Sequence, residues 1–243
     1  MSSSQKLFVS LSAFSHLILS NGAVIEQRLT IADLAAKVSQ PHLPELIQRF
    51  LYDQLYPESN LPSTDVSLNA CPAFSGMISI FSSAMATYYA PSDSSGVGSM
   101  RSEHIRSTSS WRRSRARYDC AFVNSHPDVE GMRGLDVVRI LRFFSFTFRD
   151  KLYPCALVRW FLPLDEERNK DTGMWMIQPE VTPDGAPVIS VIHLDCILRA
   201  AHLLPIYGNA PIPVTMTFHD SLDAFPAYYV NKYADHHTFE IAS

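Results

Sequence analysis

The sequence predicts an α+β fold: an N-terminal helical pair, a curved antiparallel sheet of five or six strands or a small β-barrel, and a docked C-terminal helix. Three observations predict this class. Apolar residues recur at helical spacing over residues 30–56, alternate with polar residues in short runs beyond residue 77, and return to helical spacing after residue 223. Because 47% of the 243 residues are hydrophobic and 18% are charged, the chain has enough apolar material for a sizeable core.

The helical pair is expected over residues 30–56. Thr30 and Asp33 have the spacing of a capping box, in which each side chain accepts a hydrogen bond from the backbone N–H of the other residue. Apolar side chains then recur at helical spacing over residues 43–51, and Pro57 ends the second helix. These features predict two short consecutive helices.

Composition divides the chain into three segments. Residues 1–29 are predicted to be a disordered N-terminus. Residues 30–76 contain the helical pair and a linker rich in Pro, Ser and Asn, and residues 77–243 form a β-rich domain that ends in a helix.

The β-rich domain is predicted from short runs with strand periodicity, which are bounded by turn residues. The runs cover residues 77–90, 117–123, 135–148, 152–161, 174–177 and 187–194. Between the first two runs, residues 91–116 are predicted to form a Ser- and Arg-rich loop, and residues 195–202 to form a helical turn. Short, closely spaced strands of this kind are typical of a small barrel or a strongly curved sheet.

A terminal helix is predicted from about Asp223 onward, because Pro226 is tolerated only in the first turn of a helix. An apolar stripe with a spacing of four residues would dock this helix on the sheet. Its members are Phe225, Tyr229, Tyr233, His237 and Ile241.

The four cysteines include no C-x-x-C pair, which argues against a zinc knuckle or ribbon. Cys120, Cys155 and Cys196 lie in apolar stretches, so we expect buried free thiols in a reducing compartment. The sequence has no dinucleotide-binding or P-loop pattern, and no cofactor is expected. No segment is long and apolar enough to cross a bilayer, so no membrane partner is expected either.

The segment NKYADHHTFE, residues 231–240, raises the question of a metal site. His236 and Glu240 are four residues apart on the predicted helix, and His219 or His193 is an available third ligand. The H-E-x-x-H pattern is absent, so we expect a solvated helix face and no catalytic residue. A metal-dependent nuclease or hydrolase is the alternative, and it would need carboxylates facing a common point.

An arginine-rich segment is the most informative charged feature. The whole chain has a net charge of −4, whereas residues 101–117 contain six arginines and one glutamate. Guanidinium groups bind phosphates in bidentate fashion, hydroxyls add hydrogen bonds, and an aromatic ring stacks on a base. The candidate nucleic-acid-binding residues are Arg101, Arg106, Trp111, Arg112, Arg113, Arg115 and Arg117. The alternative is a basic loop that neutralises the acidic remainder of its own protein.

Long stretches of the sequence carry a family resemblance. They are YYAPSDSSGVGSMRSEHIRSTSSWRRSRARYDCAFV, YPCALVRWF, DTGMW, VIHLDCILRAAHLLPIYG and SLDAFPAYYVNKYADHHTFEIA. They resemble, over residues 33–242, the C-terminal region of transposon-derived proteins of mushroom-forming fungi, the Plavaka-type DDE transposases. The resemblance implies a nuclear, DNA-related ancestry. It transfers no catalytic acid, because the zinc-finger region and RNase-H-like core of that family lie upstream of the matching tail.

A second resemblance concerns the order of the strands. The succession of YPCALVRWFLPLDEE, MWMIQPEV and VIHLDCILRAAHLLPI is similar to that of the bromo-adjacent homology (BAH) domain, a chromatin-reading β-barrel. Both resemblances lead to one expectation, a non-catalytic accessory module that contacts DNA or chromatin through the arginine-rich segment. A decayed remnant without function is a further alternative.

Overall fold

The computed structural model describes residues 15–19, 27–91, 97–111, 115–208, 211–212, 214–217 and 220–243. Within them the fold is α+β, and its strands pair in antiparallel fashion. The predicted fold class is therefore confirmed at this level.

The helices of the described residues are α1 Ile31–Lys37, α2 Leu43–Leu55, α3 Ser221–Ala224 and α4 His236–Ile241. The strands are β1 Ser15–Leu19, β2 Gln27–Leu29, β3 Ile78–Phe81, β4 Ser83–Tyr89, β5 Met100–Thr108, β6 Arg117–Tyr118, β7 Cys120–Asn124, β8 Leu135–Phe148, β9 Lys151–Pro163, β10 Met176–Pro179, β11 Ile189–His193, β12 Ile197–Ala201, β13 Leu203–Pro205 and β14 Tyr228–Val230.

The first two helices cover one face of the large sheet. Thr30 caps α1: its side chain accepts a hydrogen bond from the N–H of Asp33, whose carboxylate accepts one from the N–H of Thr30. In α2, Ile47 and Leu51 are fully buried, in a core that also contains Tyr153 of β9. Burial of this apolar stripe stabilises helices that are too short to persist alone in water.

The large sheet has the order β12-β7-β8-β9-β10-β14-β13, with β11 paired to β9 and the β2–β3 pair joined to β8. Its centre is the long hairpin of β8 and β9. The turn between the two strands consists of Arg149 and Asp150, which both have positive φ. Strands β12 and β13 occupy the two edge positions, and although only His202 separates them in sequence, they are not paired. The described strands therefore form no closed barrel, which corrects the barrel alternative.

The small sheet has the order β1-β4-β5-β6. Its inner side packs on the large sheet in a second core, where Leu17, Ala86 and Ile105 meet Ile140 and Phe143 of β8. Its other side faces solvent, as antiparallel sheets permit because their side chains alternate between the two faces.

Two segments of the β-rich part differ from the predictions. The predicted loop over residues 91–116 contains the nine-residue strand β5, which pairs with β4 from Met100 to Arg106 and with β6 at its last two residues. The predicted helical turn over residues 195–202 is a short 3₁₀ turn followed by β12, which pairs with β7. Strand pairing decides both cases, since it satisfies backbone groups whatever the side-chain pattern.

The predicted terminal helix is also wrong over most of its length. Residues Tyr228–Val230 form β14, which pairs with β10 and β13. After this strand, only His236–Ile241 are helical. A Tyr-Tyr-Val run suits a strand, and its pairing on both sides outweighs the spacing of four residues that favoured a helix.

The N-terminal segment contains two strands. Within the range predicted to be disordered, β1 pairs with β4 and β2 pairs with β3. The prediction therefore fails for residues 15–19 and 27–29, where pairing to a preformed strand supplies order that local composition does not indicate.

The four cysteines are free and buried, as predicted for Cys120, Cys155 and Cys196. Burial raises the pKa of Cys120 and of Cys196 to about 12, and raises that of Cys155 well above its usual value. A protonated, buried thiol is a poor nucleophile, so these three side chains act as core residues.

Candidate nucleic-acid interface

The solvent side of the small sheet continues into the arginine-rich segment. Along β5, Ile105 and Ser107 are buried, whereas Ser102 and His104 are exposed. The register with β1 and β4 then fixes which side chains share the exposed side. We call this side the outer face, and it comprises Ile18, Met85, Thr87, Tyr89, Met100, Ser102 and His104.

Trp111 lies beside the outer face with two guanidinium groups against it. The Arg106 guanidinium carbon is 4.5 Å from the centroid of the Trp111 ring, and that of Arg117 is 5.5 Å from it. The backbone N–H of Trp111 also donates to the carbonyl of Arg115 at 3.1 Å. Cation–π attraction holds the guanidinium groups of Arg106 and Arg117 against the indole. We call Arg106, Trp111, Arg115 and Arg117 the arginine surface.

Two aspartates lie against the arginine surface. Arg117 Nε donates to Asp119 Oδ1 at 2.7 Å, and the second oxygen of Asp119 accepts from the backbone N–H of Arg106 at 2.9 Å. Arg115 Nη1 is 3.3 Å from Asp220 Oδ1, and both of those side chains are largely exposed. Part of the positive charge is thus compensated within the chain, which agrees with the neutralisation alternative.

These ion pairs are weak enough to be exchanged for phosphate. An exposed pair contributes about 0–1 kcal/mol, and a guanidinium has five N–H donors, of which Arg117 uses one from Nε and one from Nη2 on the two oxygens of Asp119. Phosphate oxygens can accept the others in bidentate fashion.

The structure separates Arg101 from the other predicted arginines. By alternation along β5, Arg101 shares the inner side with Glu103, whereas Arg106 shares the outer side with His104. Its charge also acts on the phenol of Tyr88, a buried inner residue. Arg101 is therefore no part of the arginine surface. Arg112 and Arg113 lie outside the described residues.

Sequence reasoning missed the outer face, because it assigned residues 91–116 to a loop. The available signal was weak: β5 has two apolar residues, Met100 and Ile105, among charged and hydroxyl side chains. Only the pairing with β4 shows that Ser102 and His104 point to the same side as Arg106.

The residues considered for the alternative of a metal site are not brought together in the described part of the chain. His236 and Glu240 are both exposed on α4, and His193 lies instead beside Asp195, with Nδ1 3.3 Å from a carboxylate oxygen. His219 is outside the described residues. In the described ranges no three His, Cys, Asp or Glu side chains are arranged to hold a metal ion. The metal-enzyme alternative thus gains no support from this part of the chain.

A buried polar cluster around Arg199 is the second feature that the sequence did not indicate. Arg199, 3% exposed on β12, donates to both oxygens of Asp235 at 2.9 and 2.7 Å and to Glu103 at 3.1 Å. Its guanidinium also lies 4.3 Å from the ring of Tyr88, which stacks on His237 at 4.8 Å. The cluster joins the large sheet, the small sheet and the start of α4.

The charges of the cluster shift its pKa values. Partial burial alone would raise the pKa of Asp235, but hydrogen bonds from Arg199 and from the Thr238 N–H hold it well below its usual range. Burial and the adjacent Arg199 lower the pKa of His237. Burial, helped by the charge of Glu103, raises the pKa of Tyr88 to about 12. The cluster therefore holds an ionised Asp235 beside a neutral His237 and serves to fasten the elements together.

The comparison with family models gives no match, and neither do the comparisons with curated proteins and with solved structures. In the part of the chain that the structure describes, no helix combines the length and the apolar character that crossing a membrane requires.

Proposed function

We propose that this chain is a non-catalytic interaction module that contacts DNA, or DNA within chromatin, through the arginine surface together with its sequence neighbours Arg112 and Arg113. The observation that carries the proposal is the position of Trp111, whose ring lies 4.5 Å from Arg106 and 5.5 Å from Arg117 beside a hydroxyl-bearing sheet face. Cations supply the affinity for phosphate, and the indole and hydroxyls supply contacts to sugars and bases.

The resemblance to the C-terminal region of fungal Plavaka-type transposases supports the same proposal. It supports an origin in a transposon-derived protein and a nuclear setting. The similarity in strand order to BAH domains supports chromatin as the setting of this DNA contact.

A gel-shift experiment with duplex DNA tests the proposal. Replacing Arg112, Arg113, Arg115 and Arg117 by Ala removes four cations from one segment, and we expect binding to be abolished because each cation neutralises one phosphate. The matched control replaces four exposed cations elsewhere, Arg28, Arg133, Arg168 and Lys170, by Ala. Binding should survive in the control, and unchanged affinity in the first variant would refute the proposed interface.

A further inference from the structure

The outer face forms ordered rows across three strands. Ile18, Met85 and His104 are direct neighbours on β1, β4 and β5. In the next row the hydroxyls of Thr87 and Ser102 are 3.0 Å apart. The row of hydroxyls thus lies between rows of flat or soft side chains, on a surface whose backbone is fixed by pairing on both sides of β4.

These groups have the chemistry that unpaired bases require. Ile18 is 50% exposed, Tyr89 is 43% exposed and Met100 is 37% exposed. The rings of Tyr89 and His104 can stack on base faces, and the thioether of Met100 packs well against aromatic rings. In a duplex the base faces are covered by their neighbours, so only a single strand offers them.

The charge of the face is also suitable. The one acidic residue of β5, Glu103, turns to the inner side, where it accepts hydrogen bonds from Arg199 at 3.1 Å and from the Ala200 N–H at 2.7 Å. The phosphates of a strand lying on the outer face therefore do not meet this carboxylate. Arg106 and Arg117 lie at the end of the same face, where a backbone can be held.

The dimensions favour a single strand over a duplex groove. Strands lie about 4.8 Å apart, so the three strands of the outer face, β1, β4 and β5, span roughly 10 Å before their side chains are added. The major groove of B-DNA is about 12 Å wide and admits a helix or a two-stranded ribbon. Along β5, the six steps from Met100 to Arg106 measure about 20 Å, which accommodates a few nucleotides of an extended strand.

We propose that the outer face binds unpaired nucleotides, so that the chain prefers single-stranded polynucleotides to duplexes. This inference rests on the proposed function, since the arginine surface supplies the phosphate contacts. The bases lie on Tyr89, His104 and the rows between them, and the hydroxyls of Thr87 and Ser102 bind base edges or sugars.

Fluorescence anisotropy with the full chain tests this inference. The probes are a labelled 12-nucleotide DNA strand, the RNA strand of the same sequence, and the DNA duplex. We expect either single strand to bind about tenfold or more tightly than the duplex, a ratio that one stacked base can supply. Tighter binding of the RNA would identify its ribose hydroxyls as the additional ligand, whereas equal binding would identify the bases and phosphates shared by both strands.

Variants separate the two proposals. Tyr89→Ala with His104→Ala should lower single-strand affinity about tenfold and leave duplex affinity unchanged, whereas the fourfold arginine variant should lower both. The control is Tyr207→Ala with His236→Ala, an exposed pair of the same residue types elsewhere. Equal affinity for strand and duplex, unaffected by the Tyr89 and His104 changes, would overturn this inference and leave the proposed function intact. Affinity that survives the arginine changes would instead contradict the proposed function.

Discussion

Arg199 connects three elements through its guanidinium group. The side chain is almost fully buried, and its guanidinium nitrogens bond to carboxylate oxygens of Asp235 and Glu103. A buried charge is costly to dehydrate, and its partners become costly when it is removed. The residue is therefore a point at which one substitution acts on both sheets and on α4.

Replacing Arg199 by Ala should destabilise the protein by about 3–5 kcal/mol, because Asp235 and Glu103 lose their common partner. Urea denaturation at neutral pH measures this change. The control Arg168→Ala removes an exposed arginine and should alter stability by no more than about 0.5 kcal/mol. A loss in Arg199→Ala as small as in the control would show that the cluster contributes little.

His237 makes stability depend on pH. Burial and Arg199 lower its pKa in the folded state, although Asp235 and Glu240 oppose this. Below the ordinary value of about 6.5, the unfolded chain therefore binds a proton that the folded chain does not. Stability is fully present above that pH and falls as the pH drops through it towards the lower folded value.

Urea midpoints at pH 7.5 and pH 5.5 test this prediction. His237→Gln should lose less stability on acidification than the unmodified chain. His193, whose pKa is also lowered by burial, accounts for part of the loss that remains. His236→Gln, a change at the exposed neighbouring residue, should lose as much stability between the two pH values as the unmodified chain. Identical pH dependence in the two variants would contradict the role assigned to His237.

At the scale of elements, the β8–β9 hairpin organises the large sheet. Arg149 and Asp150 connect the two strands with φ angles of 49° and 60°. Positive φ at both central residues is the requirement of a tight hairpin turn, which glycine and asparagine meet most easily. The turn therefore carries backbone strain at residues that have a Cβ atom.

Asp150→Gly should stabilise the protein by about 0.5–1 kcal/mol, because glycine adopts positive φ without the steric cost. Asp150→Ala keeps the Cβ atom and is the matched control, expected to be neutral or destabilising. Thermal or urea unfolding measures both. Stabilisation by alanine equal to that by glycine would show that backbone strain is not the cause.

Local signals predicted the elements that depend on local pattern. The capping box at Thr30 and the apolar run over residues 135–148, which forms β8, both indicate what the structure contains. Elements that are defined by pairing with strands distant in sequence were not predicted. Strand β5 has a polar pattern on both sides and is defined by β4, and Tyr228–Val230 is a strand because β10 and β13 flank it. A spacing of four residues favoured a helix there, and the strand preference of the Tyr-Tyr-Val run is too short a local signal to outweigh it.

At the scale of the whole molecule, the sequence indicated the charge of the site but not its shape. The excess of arginine over residues 101–117 is visible in the sequence. Three features follow only from the fold: Arg101 and Arg106 lie on opposite sides of β5, Glu103 bonds to Arg199, and Arg115 pairs with Asp220. The candidate interface is thus a composite of one charged segment and a sheet face that brings β1, β4 and β5 together.

The central claim is that the arginine surface binds the phosphates of nucleic acid. Its most direct test is the salt dependence of the affinity for a labelled DNA strand, between about 50 and 200 mM salt. With three or four phosphates neutralised, the account predicts a slope of log Kobs against log salt of roughly −2 to −3. In the variant lacking Arg112, Arg113, Arg115 and Arg117 the slope should approach zero as binding is lost. A slope that is near zero in the unmodified chain, or the same in both proteins, would contradict the account.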